Sequence, residues 1–415
     1  MLIRPPCANP LRRPARKMAN IAPFHVMDIL GRAREQETKG QRIIHMEVGE
    51  PDFPTPAPIV AAGQRALEEG NIHYTAPLGL PALREAIARF YRTHYEVDVP
   101  ARRIVVTPGA SMSLQLALGV LIDLGDDVLV TDPGYPCNRN MVRLFGGNPV
   151  PLPVGIETNY QPTRMLVSCC ATPTTSAIVL TTPSNPTGGV VSLSMMAGIL
   201  EEARHLNAAL VVDEIYLGLV YDSVAQALGT DALGREWKAA GRPYPGTAAA
   251  LSDEIFVIDG FSKYFGMTGW RLGWMIVPEP FLKDVEKLAQ NLYLSAPTVA
   301  QHAALAAFEP ETLAILEERR RAFEHRRDFL LPALRDLGFS VARPDGAFYL
   351  YVDCSRFAED SLVFANGLLE QVGVAITPGI DFGDNAPERY VRFAYTTCLD
   401  DLREGVERIR RYLSV

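Results

Sequence analysis

The chain has 415 residues, 48% of them hydrophobic and 21% charged, with a net charge of −8. That composition describes a globular protein with a large core, in about two or three domains. The acidic balance excludes a general nucleic-acid binder, and no apolar run is long enough to span a membrane. Six cysteines without a CxxC pair and seven scattered histidines without HExxH spacing give no metal site, and they fit a reducing compartment, the cytoplasm.

Residues 1–17 carry Arg4, Arg12, Arg13, Arg16 and Lys17 with no acid and four prolines. They lack the apolar stretch of a secretion signal, and the prolines oppose an amphipathic helix. Residues 1–20 are expected to be a disordered or extended tail, with Met18 as an alternative natural start. The apolar spacing of Phe24, Val26, Met27, Ile29 and Leu30 predicts a helix over Ile21–Arg34. A strand is expected over Arg42–Val48, ending in the turn Gly49-Glu50-Pro51-Asp52, and helices over Pro58–Glu69 and Pro81–Tyr91.

Strands and helices then alternate. Strands are predicted at Arg103–Thr107, Asp127–Thr131, Ala177–Thr182, Ala209–Asp213, Ile255–Asp259 and Leu272–Val277. Helices are predicted at Ser111–Ile122, Asn138–Phe145, Ser194–Asn207 and Glu279–Asn291. This order predicts an α/β fold with a largely parallel sheet covered on both faces. From residue 296 onward a long charged helix (Glu311–Leu337), strands at Ala347–Val352 and Tyr390–Ala394 and two further helices predict a smaller α+β domain. The expected division is 21–55 packing with the small domain, 56–295 as the large domain and 296–415 as the small one. Residues 226–252, rich in Ala and Gly with weak periodicity, read as an insertion.

The loops that carry chemistry each follow the carboxyl end of a predicted strand, where open α/β sheets bind ligands. Gly109-Ala110-Ser111 opens a helix, so its amides face an anion, although Gly and Ser there are also ordinary capping residues. Tyr135 sits in the rigid turn Asp132-Pro133-Gly134-Tyr135-Pro136, able to stack on a planar ring or to be a half-buried turn residue. Asn185 is framed by two prolines in Pro183-Ser184-Asn185-Pro186-Thr187-Gly188. Asp213 ends a very apolar strand and needs a partner if buried, for which a protonated heterocyclic nitrogen serves. Tyr216 follows three residues on. Lys263 comes directly after a strand, beside Ser262 and ahead of Arg271. A desolvated lysine is an amine nucleophile for an aldehyde, and the planar fork of arginine suits phosphate. Taken alone, Lys263 and Arg271 read more readily as a surface pair. Together the set offers contacts for the phosphate, ring, ring nitrogen and aldehyde of pyridoxal 5'-phosphate.

The segments GFSKYFGMTGWRLG, PSNPTG, DPGYP, VVDEIY and EVGEPDF, in that combination, resemble the class I/II, fold-type I aminotransferases from about Ile21 to the end. The resemblance implies a large, mostly parallel sheet of the seven-stranded type plus a smaller α+β domain. It implies that Lys263 forms a Schiff base with pyridoxal phosphate and shuttles the proton. Asp213 would hold the ring nitrogen, with Asn185 and Tyr216 on the ring oxygen and Tyr135 stacked on the ring. Gly109, Ala110, Ser111, Ser262 and Arg271 would take the phosphate. Arg392 would clamp the substrate carboxylate with Asn185 and the backbone of Gly49. Tyr74 would reach the phosphate of a second subunit, which makes the protein a homodimer with shared sites. Phe24 would line the side-chain pocket. The segment Asn291–Pro297, similar to a side-chain-pocket segment of the partner subunit, contains no arginine. The expected reaction is therefore ping-pong transamination from an aliphatic or broad L-amino acid donor to 2-oxoglutarate or pyruvate, with aspartate left open as a donor because some relatives manage without that arginine. A carbon–sulfur β-lyase on the same fold is the alternative. Two departures from the family pattern stand out. Gly260 occupies a position where many relatives carry Ser, and the Asp213–Lys263 spacing is long.

Overall fold

A computed structural model describes residues 14–222 and 246–414. Most of the expected tail, and all of the expected insertion except residues 246–252, lie outside the described residues. Within the tail, Arg16–Asn20 form a 3-10 turn and the Lys17 ammonium donates to the Leu144 carbonyl.

The described strands in chain order are β1 (Ile44–His45), β2 (Ile104–Thr107), β3 (Asp127–Asp132), β4 (Asn148–Pro153), β5 (Thr175–Thr181), β6 (Ala209–Asp213), β7 (Phe256–Gly260), β8 (Gly273–Ile276), β9 (Ser340–Val341), β10 (Tyr349–Asp353), β11 (Val374–Ala375), β12 (Thr377–Pro378) and β13 (Tyr390–Ala394). Seven of them form one sheet in the order β2-β8-β7-β6-β5-β3-β4. Only β8 runs against the others in this sheet. Successive side chains of a strand point to opposite faces, and the sheet divides its residues accordingly. Val105, Val179, Val211 and Ile258 join one core with the helix Ala110–Leu121. Val106, Leu180, Val212 and Val257 join the other. A sheet buried on both faces needs this nearly continuous apolar sequence.

Strand β4 is not among the predicted strands, and it carries Pro149, Pro151 and Pro153. It pairs in parallel with β3 and ends the sheet. Alternate residues of a strand aim their N–H groups to opposite sides. Prolines at every second position therefore cost no ladder bond on an edge strand, and they block further pairing there.

The smaller sheet has the order β12-β13-β10-β9, all antiparallel. Of the strand expected over Arg42–Val48, only Ile44–His45 pairs, in parallel with β11. The chain then leaves the ladder. The Glu47 carbonyl accepts from Arg392, and the Val48 carbonyl from the Thr396 hydroxyl. The first helix runs over His25–Thr38 rather than from Ile21. Its N-cap residue, Phe24, supplies no side-chain cap. Instead the buried Asp381 carboxylate accepts from the N–H groups of His25 (2.8 Å) and Val26 (2.9 Å). A cap delivered from the far end of the chain sets the start of that helix.

His45 stands between Glu47, at 2.7 Å from Nδ1, and Glu37, at 3.2 Å from Nε2. The hydrogen bond to Glu47 is the main cause that raises its pKa to about 9. A raised folded-state value means stabilisation fully present below about pH 6.5 and lost as pH rises through about 9. In His45→Gln, melting at pH 6.5 is expected roughly one or two degrees lower than in the wild type, a modest effect because the pair is partly solvated. The two melting curves converge above pH 10. A difference independent of pH between 6 and 10 would show that the charged pair contributes nothing.

Candidate active site

Five strand-end loops meet at one edge of the larger sheet, after β2, β3, β5, β6 and β7. The reversed direction of β8 brings its entry, and hence Arg271, to the same edge. The smaller sheet and the 48–49 segment close the opposite side, leaving a cavity of about 370 Å³, within the ordinary range for a small-molecule site.

Asp213, the last residue of β6, is buried, and one of its oxygens accepts from the Ile215 N–H at 3.1 Å. Burial pushes its pKa up to about 6, opposed by that hydrogen bond and by the Lys263 charge. Lys263 follows β7, and its ammonium donates to the Gly49 carbonyl at 2.6 Å. Burial is the largest cause that pushes Lys263 down to about 8, with Arg392 and Arg271 acting in the same direction. A lysine so placed is a usable amine near neutral pH.

The anion end is built on the helix Ala110–Leu121. Gly109 has φ +83, and a Cβ there would meet Arg271 Nη2 at 2.7 Å, so only glycine allows the guanidinium this close to the helix start. Among the described residues no side chain caps this helix, which leaves its dipole and first amides directed at the cavity. Ala110, Ser111, Ser262, Thr268 and Arg271 line this end. Gly260 does not border the cavity; it pairs with Gly273 inside the sheet. Ser262, two residues on, borders it instead.

Arg392, on β13, is buried at the other end. Its Nη1 donates to Asn185 Oδ1 at 2.9 Å, and its Nη2 to the Glu47 carbonyl at 2.5 Å and the Thr377 hydroxyl at 3.1 Å. Its Nε has no partner among the described residues. The turn holding Gly49 is anchored from behind, where Arg326 makes two bonds to Asp52, at 2.7 and 2.9 Å.

Of the residues singled out from the sequence, Phe24, Gly49, Ala110, Ser111, Tyr135, Asn185, Asp213, Tyr216, Ser262, Lys263, Arg271 and Arg392 all line this cavity. Gly109 lies just behind it, against Arg271. Tyr74 is 81% exposed and lies outside its own chain's cavity; the role expected of it concerns a second chain. Tyr349, Cys137, Val26, Met27 and Val48 also line the cavity and were not foreseen. Val26 and Met27 follow Phe24 in the first turn of the helix and were open to inference as its neighbours. Tyr349 lies in an aromatic strand that reads only as core.

A family model, aminotransferase class I and II, matches residues 41–409. The chain belongs to the class I and II aminotransferases. A (5-formylfuran-3-yl)methyl phosphate transaminase from Methanocaldococcus jannaschii is 36% identical over 403 residues, covering 96% of this chain and 99% of that relative. A valine–pyruvate aminotransferase from Mycobacterium tuberculosis is 36% identical over 397 residues, covering 95% and 97%. The solved aspartate aminotransferase from Thermus thermophilus with maleate superposes with a TM-score of 0.87 at 32% identity, covering 97% of this chain and 100% of that one. Family members generally depend on pyridoxal phosphate and act on small molecules. The donors in this aminotransferase fit that group. A buried carboxylate and a desolvated amine line one cavity with an uncapped helix start and an arginine.

Proposed function

We propose that this aminotransferase transfers the amino group of an L-amino acid with an apolar side chain to 2-oxoglutarate or pyruvate, in ping-pong order, using pyridoxal phosphate. The observation that carries the reading is one cavity holding a desolvated lysine, a buried carboxylate and a buried arginine with an unpartnered Nε. When bound, pyridoxal phosphate supplies an aldehyde for the amino group and an electron-withdrawing ring that stabilises negative charge at Cα. The chain supplies the rest. Asp213 holds a proton on the ring nitrogen, Asn185 and Tyr216 bind the ring oxygen, and Tyr135 packs on the ring face. Gly109, Ala110, Ser111, Ser262 and Arg271 bind the phosphate. Arg392, with Asn185 and the Gly49 backbone, orients the α-carboxylate. Lys263 would hold the cofactor's aldehyde and, as a free amine, would take up the substrate's Cα proton and give it back.

The donor class rests on the walls. Phe24, Val26, Met27 and Val48 are apolar, and Lys263, Arg271 and Arg392 are the cations bordering the cavity among the described residues, each with a role above. A relative bears the name valine–pyruvate aminotransferase. We read the site as lying between two bodies, 56–295 with the larger sheet and 21–55 plus 296–415 with the smaller. We also propose a homodimer, supported by the exposed apolar residues Ile72, Tyr74, Leu292 and Leu294, with Tyr74 serving the partner's site.

The test is a donor and acceptor panel on the purified chain loaded with pyridoxal phosphate. Valine or alanine is expected to convert the visible band to the aminated form, with kcat/KM at least about tenfold above aspartate, the discrimination one mismatched pocket supplies. Release of pyruvate and ammonia without an acceptor would instead assign elimination.

A further inference from the structure

Tyr349 touches three groups that the proposed chemistry depends on, and no role above falls to it. It lies on β10, where it faces Ala394 across the ladder while Tyr351 faces Arg392, so Tyr349 and Arg392 are diagonal neighbours on one face of the smaller sheet. The Arg392 guanidinium sits 4.4 Å from the Tyr349 ring centroid, within cation–π range. The Tyr349 hydroxyl is 2.8 Å from the Tyr216 hydroxyl. A Cβ on Gly49 would overlap that hydroxyl and lie 2.7 Å from the ring Cζ, so the tyrosine is wedged against the turn whose carbonyl takes the Lys263 amine.

Each phenol has one proton to donate. If Tyr216 donates to Tyr349, it has no proton left for an acceptor in the cavity. If Tyr349 donates to Tyr216, the Tyr216 proton is directed into the cavity while its oxygen is held in place. We propose that Tyr349 is a positioning residue that works in this second sense: its hydroxyl commits the Tyr216 proton to the cavity, and its ring supports the guanidinium that takes the substrate carboxylate. The proposal rests on the reading of the cavity given under Proposed function.

Two variants separate the hydroxyl from the ring. Tyr349→Phe keeps the ring. In the holoenzyme it is expected to shift the pH midpoint of the visible cofactor band and to weaken cofactor binding roughly two- to tenfold, the range for one hydrogen bond, with donor KM unchanged. Tyr349→Leu loses both parts and in addition raises donor KM roughly three- to thirtyfold. Measured against Tyr216→Phe, the hydroxyl effect must disappear: Tyr216→Phe/Tyr349→Phe should match Tyr216→Phe alone in band midpoint and cofactor affinity. Additive effects in that cycle overturn the proposal, because the hydroxyl then acts through something other than Tyr216. So does a rise in KM for Tyr349→Phe equal to that of Tyr349→Leu, since the hydroxyl then contacts the substrate. Failure of the two readings is distinguishable. A wild-type chain that takes up no pyridoxal phosphate overturns the cofactor reading and this one together, whereas additivity in a coloured, active enzyme overturns only the role of Tyr349.

Discussion

Lys263→Ala is expected to abolish transamination, with turnover falling by at least about four orders of magnitude. A positioned base alone contributes roughly 10²–10⁴, and the same residue also provides the covalent attachment point. The variant should still bind pyridoxal phosphate, through the helix at Ala110, Arg271 and Asp213, but treatment with borohydride should leave none attached to the protein. Substantial turnover, or a retained reducible link, would remove Lys263 from the mechanism. The same substitution has a signature in the cofactor-free protein. The Lys263 pKa in the fold is about 8, depressed from 10.5 chiefly by burial. Between those values the unfolded chain carries the proton and the fold does not, so stability rises with pH across the window. The wild type should gain roughly 3 kcal/mol between pH 8 and 10.5 relative to Lys263→Ala, from 1.36 kcal/mol per unit, measured as the difference between two denaturation series.

Arg392→Lys should cost about 2–5 kcal/mol in kcat/KM, roughly thirtyfold to several thousandfold, the range for losing a buried charge-assisted contact. Lysine keeps the charge but not the fork that holds Asn185, the Glu47 carbonyl and the Thr377 hydroxyl together while leaving Nε free. The decisive feature is uniformity. Every donor carries the same α-carboxylate, so valine, alanine and aspartate should lose activity in equal proportion. A loss confined to aspartate would make Arg392 a reader of the donor side chain and move the carboxylate clamp elsewhere.

Much of the site was legible because its parts are local. Each motif couples a strand end to a turn or helix start, and each of those has a short-range signature: glycine ahead of a helix at Gly109, prolines around Asn185, a carboxylate closing an apolar strand at Asp213, a lysine after another. The α/β alternation then implies that such ends share one edge of a sheet, as they do here. Arg271 belonged with them for a reason the pattern did not show, the reversal of β8.

By itself, then, the chain's sequence determined six of the seven strands of the larger sheet, their two-sided burial and the motifs at the strand ends, because backbone propensity, turn chemistry and apolar patterning act over a few residues. Only the tertiary structure decided what depends on partners hundreds of residues apart. Asp381 caps the helix at His25 from 356 positions away. Arg392 binds the Glu47 carbonyl across 345. Tyr349 reaches Tyr216 across 133, and nothing in the local spelling of its strand separates it from an ordinary core tyrosine. The proline-laden β4 belongs to the same class, since only an edge position leaves prolines free of ladder bonds, and edge or centre is a property of the assembled sheet.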